Sequence, residues 1–598
     1  AEGNVNVAAS VGNVAGTAAV IVSSAPCTEE VSLNPGEVEV LPVACDVFIP
    51  SGSAGDRYRV AILNQSQIES ESEVSDAVLT VTPVGATAAP IAAAPVAAQS
   101  TGADFGDPQR LSLETRKHLR WGALLENRTR ATHRGLRAAE AALFRALGPD
   151  AVMADVRPLD GPQRQAEDLP DRITLRNNDG SSCSPPEDPT PAFLLGQNAD
   201  LAVFQDSALN ADPDTEVTPS EAQLILDYYS TYGRDVIDQY YPGVPDVDDN
   251  GKIIVYISFN DDLDDGATAA YVWGGDLFDG EDCEASNEAE LTYFNAALVR
   301  EVDDGFAQAL ETTVHEVKHI SSFWQGIGRN RVLGLSNPFQ PSWIEEGTAE
   351  IASNVATRVS WENVGGPSPS AKVTAEDIRD SAFDANDDIR PEALGIVIRM
   401  NRVQGYLSSQ PNGLIETPRG ADDGHSVYGS GWTFFRWLGD AYGNAATAPL
   451  ADASFFADQN DSTTQNGIAG VEQVTGQSYD QLLEQFAAAM MLHETGAPEG
   501  VRAITSYDFI SSIEMWCFAA HEAEPPCSGT GPPGTYPWPV TTTSSGVMGR
   551  PFENATFTGR IGPSGIRIHE FVSDGSGSGI QIGISAEQPA RVVVTRIN

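Results

Sequence analysis

Eight histidines occur in 598 residues. Two of them stand in "TTVHEVKHISSFW" (residues 312–324), with a glutamate directly after the first. On a helix, His315 and His319 lie one turn apart on the same face, so both imidazoles reach one Zn²⁺. Glu316 then points at a water beside the metal, the arrangement of a zinc hydrolase. Such an ion lowers the pKa of its water towards neutrality, and Glu316 as general base takes the proton and passes it to a leaving amine. In a chain with so few histidines this spacing arises by chance only about 1% of the time; a degenerate, non-catalytic copy is the stronger rival. The spacing does not name the third ligand. Extension to a third histidine in the metzincin pattern needs Gly and His where Ser322 and Gln325 stand, and fails. Downstream, "PSWIEEGTAEIAS" (341–353) offers Glu345, Glu346 and Glu350 at the start of a second helix. Adjacent helical residues point about 100° apart, so only one of the first two can face the histidines.

The order of these segments resembles the gluzincin clan of zinc peptidases, in which the glutamate before the glycine of a Trp-x-x-Glu-Gly segment is the third ligand. That resemblance implies Glu346, with Glu345 as a supporting partner or a solvated acid. "DVDDNGKIIVYISF", "AAYVWGGDLF", "ETTVHEVKHI", "PSWIEEGTAE" and "YGSGWTFFRWLGDAYG" also follow the order of the hyicolysin-like neutral zinc metallopeptidases over roughly residues 230–500. Lys318 inside the motif departs from the family pattern. The GxMEN signature of gluzincin aminopeptidases is absent, which favours an endopeptidase over a zinc exopeptidase. The expected fold is a multidomain α+β protein: a gluzincin-like catalytic domain (twisted sheet, active-site helix, mostly helical subdomain) between N- and C-terminal β-rich modules.

Further candidates surround this site. Tyr428 and His425 in "GHSVYGSGW" could steady an oxyanion, Tyr428 the better of the two. Glu350, one turn after Glu346, could accept the second ring N–H of a ligand histidine. The segment 269–275 reads as an edge strand able to pair with an extended peptide. "DVDDNG" has the spacing of half a calcium loop in Asp246, Asp248 and Asn250, but Ile257 stands where the closing glutamate of an EF-hand belongs, which leaves Ca²⁺ as a second candidate cation. His118, His133, His493, His521 and His569 show no ligand-like spacing and read as structural.

These residues need elements to position them. Residues 1–82 read as a β-domain, 83–107 as an Ala/Pro linker, and 108–148 as a long basic helix, with 149–170 a second linker. The catalytic domain is expected over 171–520, followed by a Pro/Gly linker (521–540) and a β-rich module (541–598). The helix carries nine Lys+Arg against three Glu over 110–147, a net of +6 in a chain of −49. It is expected either to pack as an amphipathic helix or to dock on the acidic domain as an intramolecular prosegment. The acidic surface disfavours nucleic acid and suits salty water; no apolar run is long enough to span a membrane. Protein or peptide substrates are the expected partners. Six cysteines couple locally as Cys27 with Cys45, Cys183 with Cys283 and Cys517 with Cys527, which favours disulfides in an exported, secreted protein over free thiols. The rival function is a binding or cell-surface protein with a retired peptidase domain.

Overall fold

The structure is a computed structural model describing residues 3–11, 14–22, 27–42, 45–68, 75–84, 133, 135–148, 157–159, 167–177, 182–184, 188–209, 216–260, 268–300, 307–333, 339–385, 388–408, 413–415, 427–444, 450–462, 465–493, 500–508, 550–552, 554–586 and 590–598. The chain starts with a hairpin of β1 (Gly3–Val11) and β2 (Val14–Val22). There follow β3 (Cys27–Glu30), β4 (Val38–Pro42), β5 (Cys45–Ile49), β6 (Arg57–Asn64) and β7 (Ser75–Val84). A helix, α1, covers residues 135–147, and His133 is helical too. The rest of the expected helix lies outside the described residues.

Next come β8 (Arg157–Pro158), β9 (Arg172–Leu175), β10 (Thr190–Gln197), β11 (Leu201–Asp206), α2 (Pro219–Tyr228), α3 (Arg234–Tyr240), β12 (Pro245–Asp246), β13 (Ile253–Phe259), β14 (Ala270–Tyr271) and β15 (Leu291–Asn295). The apolar run of β13 has a physical cause. It pairs in parallel with β11 on one side and β15 on the other, and both of its faces are buried. The six-stranded sheet has the order β14-β15-β13-β11-β10-β9, with β9, β10 and β14 antiparallel to their neighbours. Cys183 and Cys283 are disulfide-bonded across a separation of 100 residues. Closing a loop of that length removes about 4.7 kcal/mol of unfolded-state freedom in the chain-entropy model.

Beyond the sheet the chain is helical: α4 (Ala296–Arg300), α5 (Gln308–Leu333), α6 (Ser342–Glu362), α7 (Ala375–Ser381), α8 (Leu394–Ser408), α9 (Val427–Tyr442), α10 (Ala453–Ala457), α11 (Ile468–Thr475) and α12 (Tyr479–Met491). Helix α6 is buried along almost its whole length, packed against both α5 and α9. Its approach to α9 needs glycine. A Cβ at Gly347 would come within 2.8 Å of the Phe435 ring and 3.0 Å of the Gly431 backbone. Among the described residues no helix is long and apolar enough to cross a membrane.

The final strands are β16 (Arg550–Pro551), β17 (Ala555–Ile561), β18 (Ile566–Val572), β19 (Gly579–Ala586) and β20 (Ala590–Arg596). The fold is α+β and β-rich at both ends, but those ends are not the separate modules expected. They interleave in two five-stranded sheets, β16-β18-β6-β20-β4 and β17-β7-β19-β5-β3. The alternation of β6 explains why. Tyr58, Val60 and Ile62 fill the space between the sheets, while Ala61 and Leu63 on the other face join the core of the helical region. Val592 and Val594 of β20 repeat the first role, and Val593 the second. A strand with two apolar faces cannot stand in a small free module. Here α12 covers the outer face.

Candidate metal centre

Helix α5 presents His315 and His319 on one face, and α6, near its start, brings Glu346 against them. Glu346 Oε2 lies 3.1 Å from His315 Nε2 and 3.5 Å from His319 Nε2. A third imidazole completes the group. His133 Nδ1 is 3.0 Å from Glu346 Oε1. One ligand atom from each of His133, His315, His319 and Glu346 falls within 4.8 Å of all the others, and all four residues are buried. These residues could hold a metal ion.

The opposite ring nitrogens fit that role. A metal-bound histidine usually donates its other N–H to a carboxylate or a carbonyl, which fixes tautomer and ring orientation. His133 Nε2 lies 2.9 Å from the Ala270 carbonyl, His319 Nδ1 lies 2.7 Å from Glu345 Oε1, and His315 Nδ1 lies 3.3 Å from Glu350 Oε1. Inward, His319 Nε2 makes no hydrogen bond although it is buried. Every ring therefore has one nitrogen held and one turned to the centre.

Charge favours a cation there. Burial alone would lower the His315 imidazole, but its hydrogen bonds to Glu346 and Glu350 raise it to about 10. Burial would likewise raise the Glu346 carboxyl, yet the His133 and His319 rings hold it well below its ordinary value. Glu345 and Glu350 are anchored from behind. Glu345 takes hydrogen bonds from Lys318 Nζ (2.7 Å) and Ser322 Oγ (2.7 Å); against the upward push of burial, the Lys318 ammonium and the His319 ring bring it down to about 2. Lys318 thus faces Glu345, with its ammonium also on the Glu345 carbonyl at 3.0 Å. Glu350 pairs with Arg399 (3.1 Å) and Arg402 (2.5 Å) from α8.

His133, His315, Glu316, Glu350, Arg402 and Tyr428 line a common cleft with Ala269. Glu316 is 1% exposed, and its Oε2 has no hydrogen-bond partner. The Tyr428 hydroxyl, on α9, is 3.5 Å from His133 Nδ1. His425 lies outside the described residues.

No protein-family model matches the chain, and no curated protein matches it.

Sequence reasoning missed His133 by treating it as structural. Its helix was singled out for charge, and His133, Arg137 and Glu140 share a helical face, but nothing in the sequence ties that face to residues 315–346. His493, by contrast, bonds Asp508 at 3.0 Å, and His569 is buried on β18; His118 and His521 lie outside the described residues. Asp246 and Asp248 do come together, and Glu290 joins them as a third carboxylate. Asn250 bonds Asp248 through both its backbone and side-chain nitrogens. Glu290 is fully buried, with Oε1 on the Val247 N–H and Oε2 unbonded. Cys27 and Cys45 are backbone partners in the parallel pairing of β3 with β5, while Cys517 and Cys527 lie outside the described residues.

Proposed function

We propose that the chain is a secreted zinc-dependent endopeptidase of the gluzincin type, resembling the hyicolysin-like enzymes in its motifs. The observation that carries this reading is the set of inward-turned nitrogens around Glu346, with the unbonded Glu316 Oε2 in the same cleft. His315, His319 and Glu346 would hold the ion; a bound zinc supplies acidity to a water and polarises an acyl oxygen. Glu316 takes the proton from the attacking water and returns it to the departing amine. The Tyr428 hydroxyl donates to the oxyanion, and the outer edge of β14 aligns an extended substrate. Glu345 and Glu350 keep His319 and His315 in the required tautomers. The Cys183–Cys283 disulfide accords with export.

Slow casein hydrolysis by the zinc-loaded chain, abolished by a chelator and restored by added zinc, is the expected result. If neither the chain nor a His133→Gln variant shows chelator-sensitive hydrolysis, the rival reading of a binding protein with a retired site takes over.

Asp246, Asp248 and Glu290 form a second cation site in this reading. An all-oxygen donor set on a turn suits Ca²⁺, and an unbonded, buried Glu290 oxygen gives it a reason to bind. At a hundredfold excess over Kd, calcium should add about 2.7 kcal/mol to stability. The gain, read as a rise in melting temperature, should vanish in Glu290→Gln. An equal rise in the variant would place calcium elsewhere.

A further inference from the structure

A zinc hydrolase keeps one coordination position open for water, whereas a site closed by four protein ligands is structural. The group around Glu346 contains four protein residues. It also keeps a buried carboxylate oxygen of Glu316 without a hydrogen bond, which a purely structural site has no use for. Both facts are accounted for if one of the four ligands is removable.

His133 is the one that differs. The other three come from α5 and α6, which pack directly on each other. His133 arrives from the segment leading into α1, a helix that also bonds the backbone beside β14 through Arg137 and Glu140. Among the described residues β14 is the end strand of its sheet, paired with β15 alone. Three backbone groups of the segment 270–274 are taken by side chains from the segment 133–140. His133 Nε2 reaches the Ala270 carbonyl at 2.9 Å, Arg137 Nη2 donates to the Val272 carbonyl at 2.7 Å, and Glu140 Oε1 accepts from the Gly274 N–H at 2.7 Å. Positions 133, 137 and 140 are spaced as one helical face. The edge strand expected over 269–275 is shorter than that, since β14 ends at Tyr271 and a 3-10 turn begins at Gly274, so the three contacts follow the chain from β14 into that turn. Arg137 also lies over the Phe323 ring of α5 at 4.1 Å from its centroid and pairs with Glu140 at 3.0 Å.

We propose that this helical face is a built-in inhibitor: His133 serves as a fourth metal ligand through Nδ1 and covers the β14 edge at Ala270, while Arg137 and Glu140 occupy the backbone groups just beyond β14, along the path a substrate backbone would take. The inference rests on the metallopeptidase reading above and concerns the regulation of the same site. The Tyr428 hydroxyl, which would face an oxyanion, faces the His133 ring instead. Attraction between a segment of +6 (residues 110–147) and the −55 of the remaining chain helps seat the helix and weakens with salt. The chain with His133 in place is therefore latent, and displacing the helix face opens the metal and the strand edge together.

X-ray absorption at the zinc edge of the zinc-loaded chain of residues 1–598 tests this directly. Three imidazole nitrogens are expected on the ion, falling to two in His133→Gln, and the variant should hydrolyse casein at least tenfold faster. Zinc bound with only two imidazoles in the unmodified chain overturns the inhibitor role and leaves the peptidase reading standing. Three imidazoles in both proteins, or no gain in hydrolysis, overturns it as well. A chain that binds no zinc removes both readings. The measurement on the unmodified chain decides the ligand count even if the variant fails to fold.

Discussion

Glu346→Gln should lose zinc and activity together, whereas Glu316→Gln should keep its zinc and lose turnover by 10²- to 10⁴-fold. The two side chains differ in what surrounds them. Glu346 spans three imidazoles with its two oxygens, so an amide there puts an N–H where a metal or a ring N–H must face an acceptor. Glu316 bonds nothing through Oε2, so its amide is tolerated in place, but no base remains. Glu345→Gln supplies the control. It should weaken zinc binding only about 10- to 100-fold, because it loosens the His319 ring without touching the ion. Metal content by plasma spectrometry, read beside casein hydrolysis, separates the three. An empty site in Glu345→Gln alongside a filled one in Glu346→Gln would shift the ligand assignment by one residue.

The largest stability loss should come from Arg436 on α9. Its guanidinium is fully buried and pairs with Asp440 at 3.2 Å and with Asp452, both of them buried too. Burial alone would lower the Arg436 pKa, but the two carboxylates hold it above its ordinary value. Asp452 also accepts from the Tyr240 hydroxyl at 2.9 Å, and Asp440 from the backbone of Thr505 and Ser506 at 2.7 and 2.9 Å. Arg436→Met preserves much of the volume but strands two acids away from water. Breaking a buried ion pair in this way costs about 3–5 kcal/mol. Because α9 packs on α6, the loss should appear in urea unfolding and also in weakened zinc retention. Adding Asp440→Asn and Asp452→Asn to the same protein should recover most of it, since no charge is then left unpaired. A single-variant loss below 1 kcal/mol would show that water reaches this network.

Local chemistry was legible in the sequence wherever it lay within one helix turn or one strand. The i, i+4 histidines, the glutamate between them and the apolar run of β13 are all of this kind, because helix and strand periods fix where such side chains point. The resemblance to gluzincins pointed to Glu346, and the structure brings that residue between the two histidines. What the sequence hid was long-range. His133 and Glu346 are 213 residues apart, and nothing about a histidine in a basic helix says which carboxylate it meets. Glu290 sits in "EASNEAEL" without ligand spacing, and only the register of β15 beside β13 carries it to the Asp246 turn. The terminal strands misled for a related reason: β6 alternates correctly for a sheet, but its second apolar face belongs to a partner that sequence order places far away.

That shared sandwich has a consequence for how the chain comes into being. Strand β6 sits between β18 and β20, and the Arg57 and Glu570 side chains that bond across one of those pairings are 513 residues apart. At ribosomal speeds of about 5–20 residues per second, β6 emerges roughly half a minute to two minutes before β18 exists. Throughout that interval both of its hydrogen-bonding edges lack their final partners, β18 and β20, a state prone to sticking to other chains. The sheet and helices between can assemble first, and the newly synthesised protein then waits for its last fifty residues to close the sandwich. A chaperone that shields β6 during this wait would act on yield, not on the finished protein.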